Sequence, residues 1–213
     1  ARTHQVELIG GDTTCGPLNV CVTIIGEVAT GKALRRSGAK PGDDIWTSGQ
    51  LGDAALALAH AQQRIALEPG EVLACLPALH MPVARVELGQ RLIGLARSAI
   101  DISDGLLADL GHILECSKVA AVIEMNAIKR SAVMEKYLPQ TVAINCLLAG
   151  GDDYELCFTA PRAKCGKIED LSRELGVPLT RIGRINQGEG LVVLDAAGKP
   201  IALEARGYDH FRT

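Results

Sequence analysis

The sequence predicts an α/β fold, a mixed sheet with helices packed on it. Strand-like apolar runs alternate with stretches of helical periodicity from residue 44 onward. The apolar content, 47% of 213 residues, is mainly Ala, Leu, Ile and Val, and aromatics make up only 3%, as an α/β core requires. The third observation is Ser98-Ala-Ile-Asp-Ile-Ser-Asp-Gly-Leu-Leu-Ala-Asp-Leu-Gly-His112. There a buried strand end, an acidic turn and the apolar face of a helix follow one another without a gap.

Gln5 to Ile9 alternates and ends in Gly10-Gly-Asp-Thr-Thr-Cys-Gly-Pro17, and Leu18 to Val28 is a second strand-like run. Together they predict a hairpin whose loop carries Gly11 and Asp12. Residues 30–43 form a basic loop with Lys32, Arg35, Arg36 and Lys40, suited to an anionic ligand or to a solvated surface. Asp44 to Ser48 is a short strand, and a helix runs from Asp53 to about Arg64. Pro69-Gly70 breaks the chain before a short helix, Val72 to Leu79, and another helix runs from Val86 to Ala96.

On the strand before the acidic turn, Asp101 and Ser103 point to one side, since side chains alternate. Gly105 turns the chain into the helix, with Ser103 or Asp104 as its N-cap. A cap accounts for one acid; the second leaves room for a hard cation or a phosphate. Val119 to Met125 is a strand, followed by helices around Ala132 to Tyr137 and Ala143 to Ala149, the second capped by Gly150. Asp152 and Asp153 then stand at the entrance of a strand, Tyr154 to Thr159. Lys164 to Leu175 is an amphipathic helix, and strands follow at Leu179 to Ile185, Leu191 to Leu194 and Ile201 to Glu204.

Composition excludes several functions. Lys plus Arg is 22 against 25 for Asp plus Glu, a net charge of −3, so no nucleic-acid partner is expected. No apolar run approaches the ~20 residues of a membrane span. The seven cysteines are an odd number without a C-x-x-C pair. Those in apolar runs, Cys21, Cys146 and Cys157, predict buried reduced thiols and a cytoplasmic protein. No nucleotide-binding glycine fingerprint, zinc-hydrolase helix or serine-nucleophile elbow is present, and the five His are scattered. What remains is a carboxylate-rich site for magnesium and polyphosphate, with Asp12, Asp101 and Asp104 as metal candidates and Arg36 as a phosphate candidate.

Five motifs occur in one order: GGDTTCGP at 10–17, ALRRSGAKPGD at 33–43, AIDISDGLLADLGHI at 99–113, AGGDDYELCFT at 149–159 and GYDHF at 207–211. Together they resemble the thiamine-monophosphate kinase family, of the superfamily that also holds aminoimidazole ribonucleotide synthetase and selenophosphate synthetase. The resemblance covers essentially the whole chain. It implies a C-terminal α/β domain of the aminoimidazole ribonucleotide synthetase-like fold at 30–213. Residues 1–29 would then be the last strands of an N-terminal ATP-binding domain that the chain mostly lacks.

It also implies direct, magnesium-assisted transfer of the γ-phosphate of ATP to thiamine monophosphate, giving thiamine diphosphate. By resemblance, Asp12, Asp101 and Asp104 would bind Mg2+. Gly11, Asp12 and Ser103 would contact ATP, and Arg36 would hold its phosphates. Asp152 would hold the thiamine moiety and Tyr208 would pack against it. The full-length protein would be a homodimer, and the 213 residues alone would be inactive. Two departures stand out: Cys15 occupies a position that is often Arg, and Asp152 one that is often Glu. Alternatives are another ATP-dependent synthetase of the superfamily, which the GGDDYEL and GYDHF motifs oppose, or a non-catalytic binding module that retains the fold.

Overall fold

A computed structural model of the chain describes residues 6–201. It falls into two units, Ala1–Ala33 and Leu34–Thr213. In the first, the described residues carry no strand or helix, and the expected hairpin over 5–28 is absent among them. Its apolar side chains are exposed, Leu8 at 90% and Leu18 at 96%. Alternation specifies which face of a strand is apolar, but a two-stranded ribbon with nothing covering that face is marginal in water. Cys21, expected to be buried, is exposed for the same reason. The seven cysteines are all free.

The second unit is the expected α/β domain. Its elements are β1 (Asp43–Ser48), α1 (Asp53–Ala61), α2 (Pro69–His80), α3 (Val86–Arg91), β2 (Ser98–Ile102), α4 (Leu106–Ser117) and β3 (Ala120–Glu124). They continue with α5 (Ala132–Tyr137), α6 (Thr141–Ala149), β4 (Glu155–Pro161), α7 (Cys165–Leu175), β5 (Leu179–Asn186) and β6 (Gly190–Leu194). The strands form one mixed sheet in the order β2-β4-β1-β5-β3-β6, antiparallel except for the β3–β6 pair.

Helices cover both faces. Successive side chains of β1 point opposite ways, so Ile45 enters the core beneath α1, α2, α4, α5 and α6. Trp46 enters a second core with Leu88 of α3 and Ile168 and Leu171 of α7. The β1–β4 register sets Trp46 opposite Phe158, and their rings stack 6.4 Å apart. With a layer on each side, all six residues of β1 are buried.

Several boundaries differ from the sequence reading; α1, for example, ends at Ala61 and not near Arg64. Pro69-Gly70 starts α2 instead of breaking the chain. Proline at the first helical position loses no hydrogen bond, and Glu68 and Glu71 close a reciprocal capping box around it. Helix α3 stops at Arg91 and gives way to a turn in which Gly94 has a positive φ. Gly150 follows α6 in an extended conformation, not the left-handed one of a typical glycine cap. The expected strand at 201–204 lies outside the described residues beyond Ile201, whose N–H bonds the Val193 carbonyl at 2.9 Å. Among the described residues no helix is long and apolar enough to cross a membrane.

Candidate active site

Antiparallel pairing of β2 with β4 sets Ile102 opposite Glu155 and Asp101 opposite Leu156. The end of one strand and the start of the other are therefore neighbours, and the acidic motifs at 101–105 and 150–154 meet at one end of the sheet. The contact is backbone to backbone. Asp152 N–H donates to the Ser103 carbonyl at 3.0 Å, and Tyr154 N–H to the Ile102 carbonyl at 2.8 Å. A Cβ on Gly151 would stand 2.3 Å from the Ser103 carbonyl oxygen, so only glycine allows this approach. Gly105, at φ 113° and ψ 149°, holds a conformation open essentially to glycine alone, and a Cβ there would meet the Ala149 backbone at 2.7 Å.

Gly105, and not Ser103 or Asp104, is the N-cap residue of α4. The reverse arrangement operates. Asp109, buried in the first turns of α4, accepts the N–H groups of both Ser103 and Asp104 at 3.0 Å. Burial raises the Asp109 carboxyl above its ordinary value. Its two backbone bonds oppose that rise, and the Asp104 and Asp101 charges add to it.

Asp101 is exposed, and Ser103 and Asp104 are half-buried. Asp152 and Tyr154 both hold left-handed backbones, at φ 69° and 49°. Burial is the first cause that raises the Tyr154 phenol, followed by Asp152 and then by Asp101 and Asp104. Ser103, Asp104, Asp152 and Tyr154 line a cleft of about 890 Å³; Asp101 is not part of its lining. Oxygen donors from Asp101, Asp104 and Ser103 are the hard type that suits Mg2+. Among the described residues, no group of three or more His, Cys, Asp or Glu is placed to hold a metal.

Two further carboxylates, not singled out as site residues from the sequence, fasten the 150–154 turn from behind. Both oxygens of Asp153 accept the Gly52 N–H, at 2.9 and 3.0 Å. Although that residue as a whole is half-buried, its carboxyl is enclosed, and burial lifts it well above the carboxylate range against the Gly52 bond. Glu155 is buried and takes Arg85 Nε at 2.7 Å, the same guanidinium's Nη2 and the Ser48 hydroxyl. The Ser48 hydroxyl oxygen in turn accepts Leu156 N–H at 2.8 Å. The doublet Asp152-Asp153 gave a sequence signal for the first fastening. Arg85 lies 70 residues from Glu155 and gave none.

The Asp153 shift has a testable sign. An acid whose folded value is raised binds its proton more tightly in the folded state, so its contribution to stability declines as pH rises from the ordinary carboxylate value through the raised one. Asp153→Asn keeps a carbonyl for Gly52 N–H and removes the titration. The stability advantage of wild type over the variant should therefore shrink, or reverse, as pH rises from 4 to 8 in urea unfolding.

Gly11 and Asp12 lie in the first unit, both exposed, where Asp12 Oδ1 accepts Thr13 N–H at 2.8 Å. Arg36 is exposed in the basic loop. There the Arg35 carbonyl accepts Ala99 N–H at 3.0 Å and the Arg36 carbonyl accepts the Ser117 hydroxyl. These bonds tie the loop to the start of β2 and the C-terminal end of α4. Its backbone is thus roughly 13 Å along the strand from Ser103. The acidic turn and the Arg36 backbone occupy opposite ends of the β2–α4 pair. Tyr208 lies outside the described residues.

No protein-family model matches the sequence. The thiamine-monophosphate kinase of Escherichia coli K12 is 43% identical over 99% of this chain and 65% of its own length. The crystal structure of thiamine-monophosphate kinase from Stenotrophomonas maltophilia superposes with a TM-score of 0.73 at 46% identity, covering 78% of this chain and 54% of that one. A structure of AaThiL complexed with AMPPCP and TMP gives 0.67 at 32% identity, covering 84% and 54%. The chain spans about 65% of the length of the curated relatives it matches. In sequence, over 99% of its length, and in fold, it is similar to thiamine-monophosphate kinases.

Proposed function

We propose that the protein containing this chain phosphorylates thiamine monophosphate with ATP. An oxygen of the acceptor phosphate attacks Pγ of ATP. The new P–O bond forms as the bond from Pγ to the β–γ bridging oxygen breaks, and ADP leaves. The observation that carries this reading is the meeting of the two acidic motifs, Asp101–Asp104 and Asp152–Tyr154, beside one cleft. A relative complexed with AMPPCP and TMP supports the choice of substrates.

In this reading Asp101 and Asp104, with Asp12 from the first unit, hold Mg2+, which when bound offsets the charge of the phosphates. Ser103 and Gly11 contact ATP, Arg36 takes its phosphates, Asp152 holds the cationic thiamine and Tyr208 packs against it. Residues 1–29 belong to a separate ATP-binding domain, where the 5–28 hairpin forms once a sheet covers its apolar face; residues 30–213 are the C-terminal domain. The reading includes a homodimer for the full-length enzyme. It also includes a cytoplasmic location, which the seven free thiols support.

The test is an assay for thiamine diphosphate with Mg2+ and ATP. The full-length enzyme should turn over and the 213-residue chain should not, because Asp12 then lacks the sheet that would position it. Absence of product from the full-length enzyme would refute the reading. In the same assay, Arg36→Ala should raise KM for ATP more than KM for thiamine monophosphate. An unchanged ATP dependence would return Arg36 to the solvated surface.

A further inference from the structure

The 150–154 turn carries two residues other than glycine with left-handed backbones, Asp152 at φ 69° and Tyr154 at φ 49°. That conformation is strained for an acid and an outlier for a bulky aromatic, and it persists only where the surroundings impose it. Three contacts impose it here. Asp152 N–H bonds the Ser103 carbonyl, Tyr154 N–H bonds the Ile102 carbonyl, and the Asp153 carboxyl between them holds Gly52 N–H. With the Asp153 carboxyl enclosed, its two neighbours Asp152 and Tyr154 line the cleft. Glycine would hold this backbone without strain, yet the turn carries an acid and a ring there.

The ring is placed for a cation. Tyr154 is 43% exposed, so the ring is open to a ligand, and its hydroxyl stands 3.5 Å from Asp152 Oδ1. The 101–104 turn is the next neighbour. Asp101 pairs with Leu156, so Tyr154, two residues earlier, is its diagonal neighbour across the β2–β4 pair, roughly 7–8 Å away. The charges that raise the phenol after burial follow the same order, Asp152 first and then Asp101 and Asp104. A tyrosine face attracts a cation through its negative π-cloud, and a carboxylate beside it adds a counter-charge. Ala55, Leu58 and Ala149 in the same cleft supply apolar surface for a heterocycle.

We propose that the Tyr154 ring receives the positively charged heterocycle of the acceptor substrate and so sets a preference for a cation over a neutral molecule of the same shape. The proposal rests on the kinase reading above and deepens it. Asp152 supplies the counter-charge, and Asp104 keeps its single role at the metal. The two-carbon arm of the heterocycle brings the acceptor phosphate to the 101–104 turn, beside the metal and Pγ of ATP in that reading. Tyr154 is thus a substrate-binding residue distinct from Tyr208.

The experiment compares wild type, Tyr154→Phe and Tyr154→Leu in the full-length enzyme. Calorimetry gives Kd for thiamine monophosphate and for its analogue in which a neutral thiophene replaces the thiazolium. Tyr154→Leu should weaken thiamine monophosphate ~5–30-fold, the range of a partly desolvated cation–π contact, and leave the neutral analogue within about threefold of wild type. Tyr154→Phe keeps the ring and should keep the preference for the cation. An equal loss for both ligands in Tyr154→Leu, which a merely structural role would produce, or no loss for either, overturns the proposal. A preference lost in Tyr154→Phe overturns it as well, because the hydroxyl and not the ring would then be at work. Where Tyr154→Leu does not fold, wild type and Tyr154→Phe still decide by whether both bind the cation more tightly than the neutral analogue. A wild-type enzyme that makes no thiamine diphosphate would defeat the kinase reading by itself. The calorimetric comparison still decides on Tyr154, since it needs no turnover.

Discussion

Asp104→Asn in the full-length enzyme should lower kcat by ~10³-fold or more, and Asp101→Asn by a comparable factor, the latter with little change in melting temperature. A ligand to a catalytic metal contributes several kcal/mol to the transition state, and each 1.36 kcal/mol is tenfold in rate. The fold asks less of Asp101. Asp101 is exposed on the edge strand, and the backbone at Asp104 is held through its N–H by Asp109, which an amide at 104 leaves in place. Initial rates at saturating ATP and Mg2+, with thermal melts run alongside, separate the two effects. A rate within a few-fold of wild type for both variants would remove the metal assignment and return the turn to a helix-entry motif.

Arg85→Met should produce the largest loss of stability, about 3–5 kcal/mol, because it strands the buried Glu155 carboxylate without its counter-charge. For a domain of this size that is a fall of roughly 10 °C in Tm. Adding Glu155→Gln should restore a good part of it. The double variant has no buried charge, and the glutamine carbonyl still accepts the Ser48 hydroxyl. Melting curves for the two single variants and the double close the cycle. Additive losses would mean that the pair is not coupled, contrary to its two-pronged geometry. Because Glu155 directly follows Tyr154, the single variants should also loosen the left-handed turn at 152–154.

What could be read from the sequence was local. The run from Ser98 to Ser117 announces strand, turn and helix because each pattern completes itself within a few residues. Pro69-Gly70 misleads for the opposite reason. The same dipeptide ends one element or begins another, and the choice rests on Glu68 and Glu71 bonding across the helix start. The 5–28 hairpin is read from alternation at 5–9 and an apolar run at 18–28, yet such a pattern names a face and does not supply its cover. Ser103 and Asp104 looked like caps because caps commonly precede a helix, whereas Asp109 reaches back from inside it. The Arg85–Glu155 pair and the separation of Arg36 from the acidic turn are products of sheet order, and no spacing in the sequence encodes them.

The close approach of Gly151 to the Ser103 carbonyl bears on how this pair of motifs can change over generations. Where a glycine faces a side chain, a second substitution can trim the neighbour and make room; Gly49, whose missing Cβ faces the Glu155 carboxylate, is of that kind as far as space alone is concerned. At Gly151 the obstacle is main chain, common to all twenty residue types. No replacement at Ser103 can clear it, so the two loops are tied as a single heritable unit. Drift in either is constrained by the backbone of the other, not by the chemistry of its side chains.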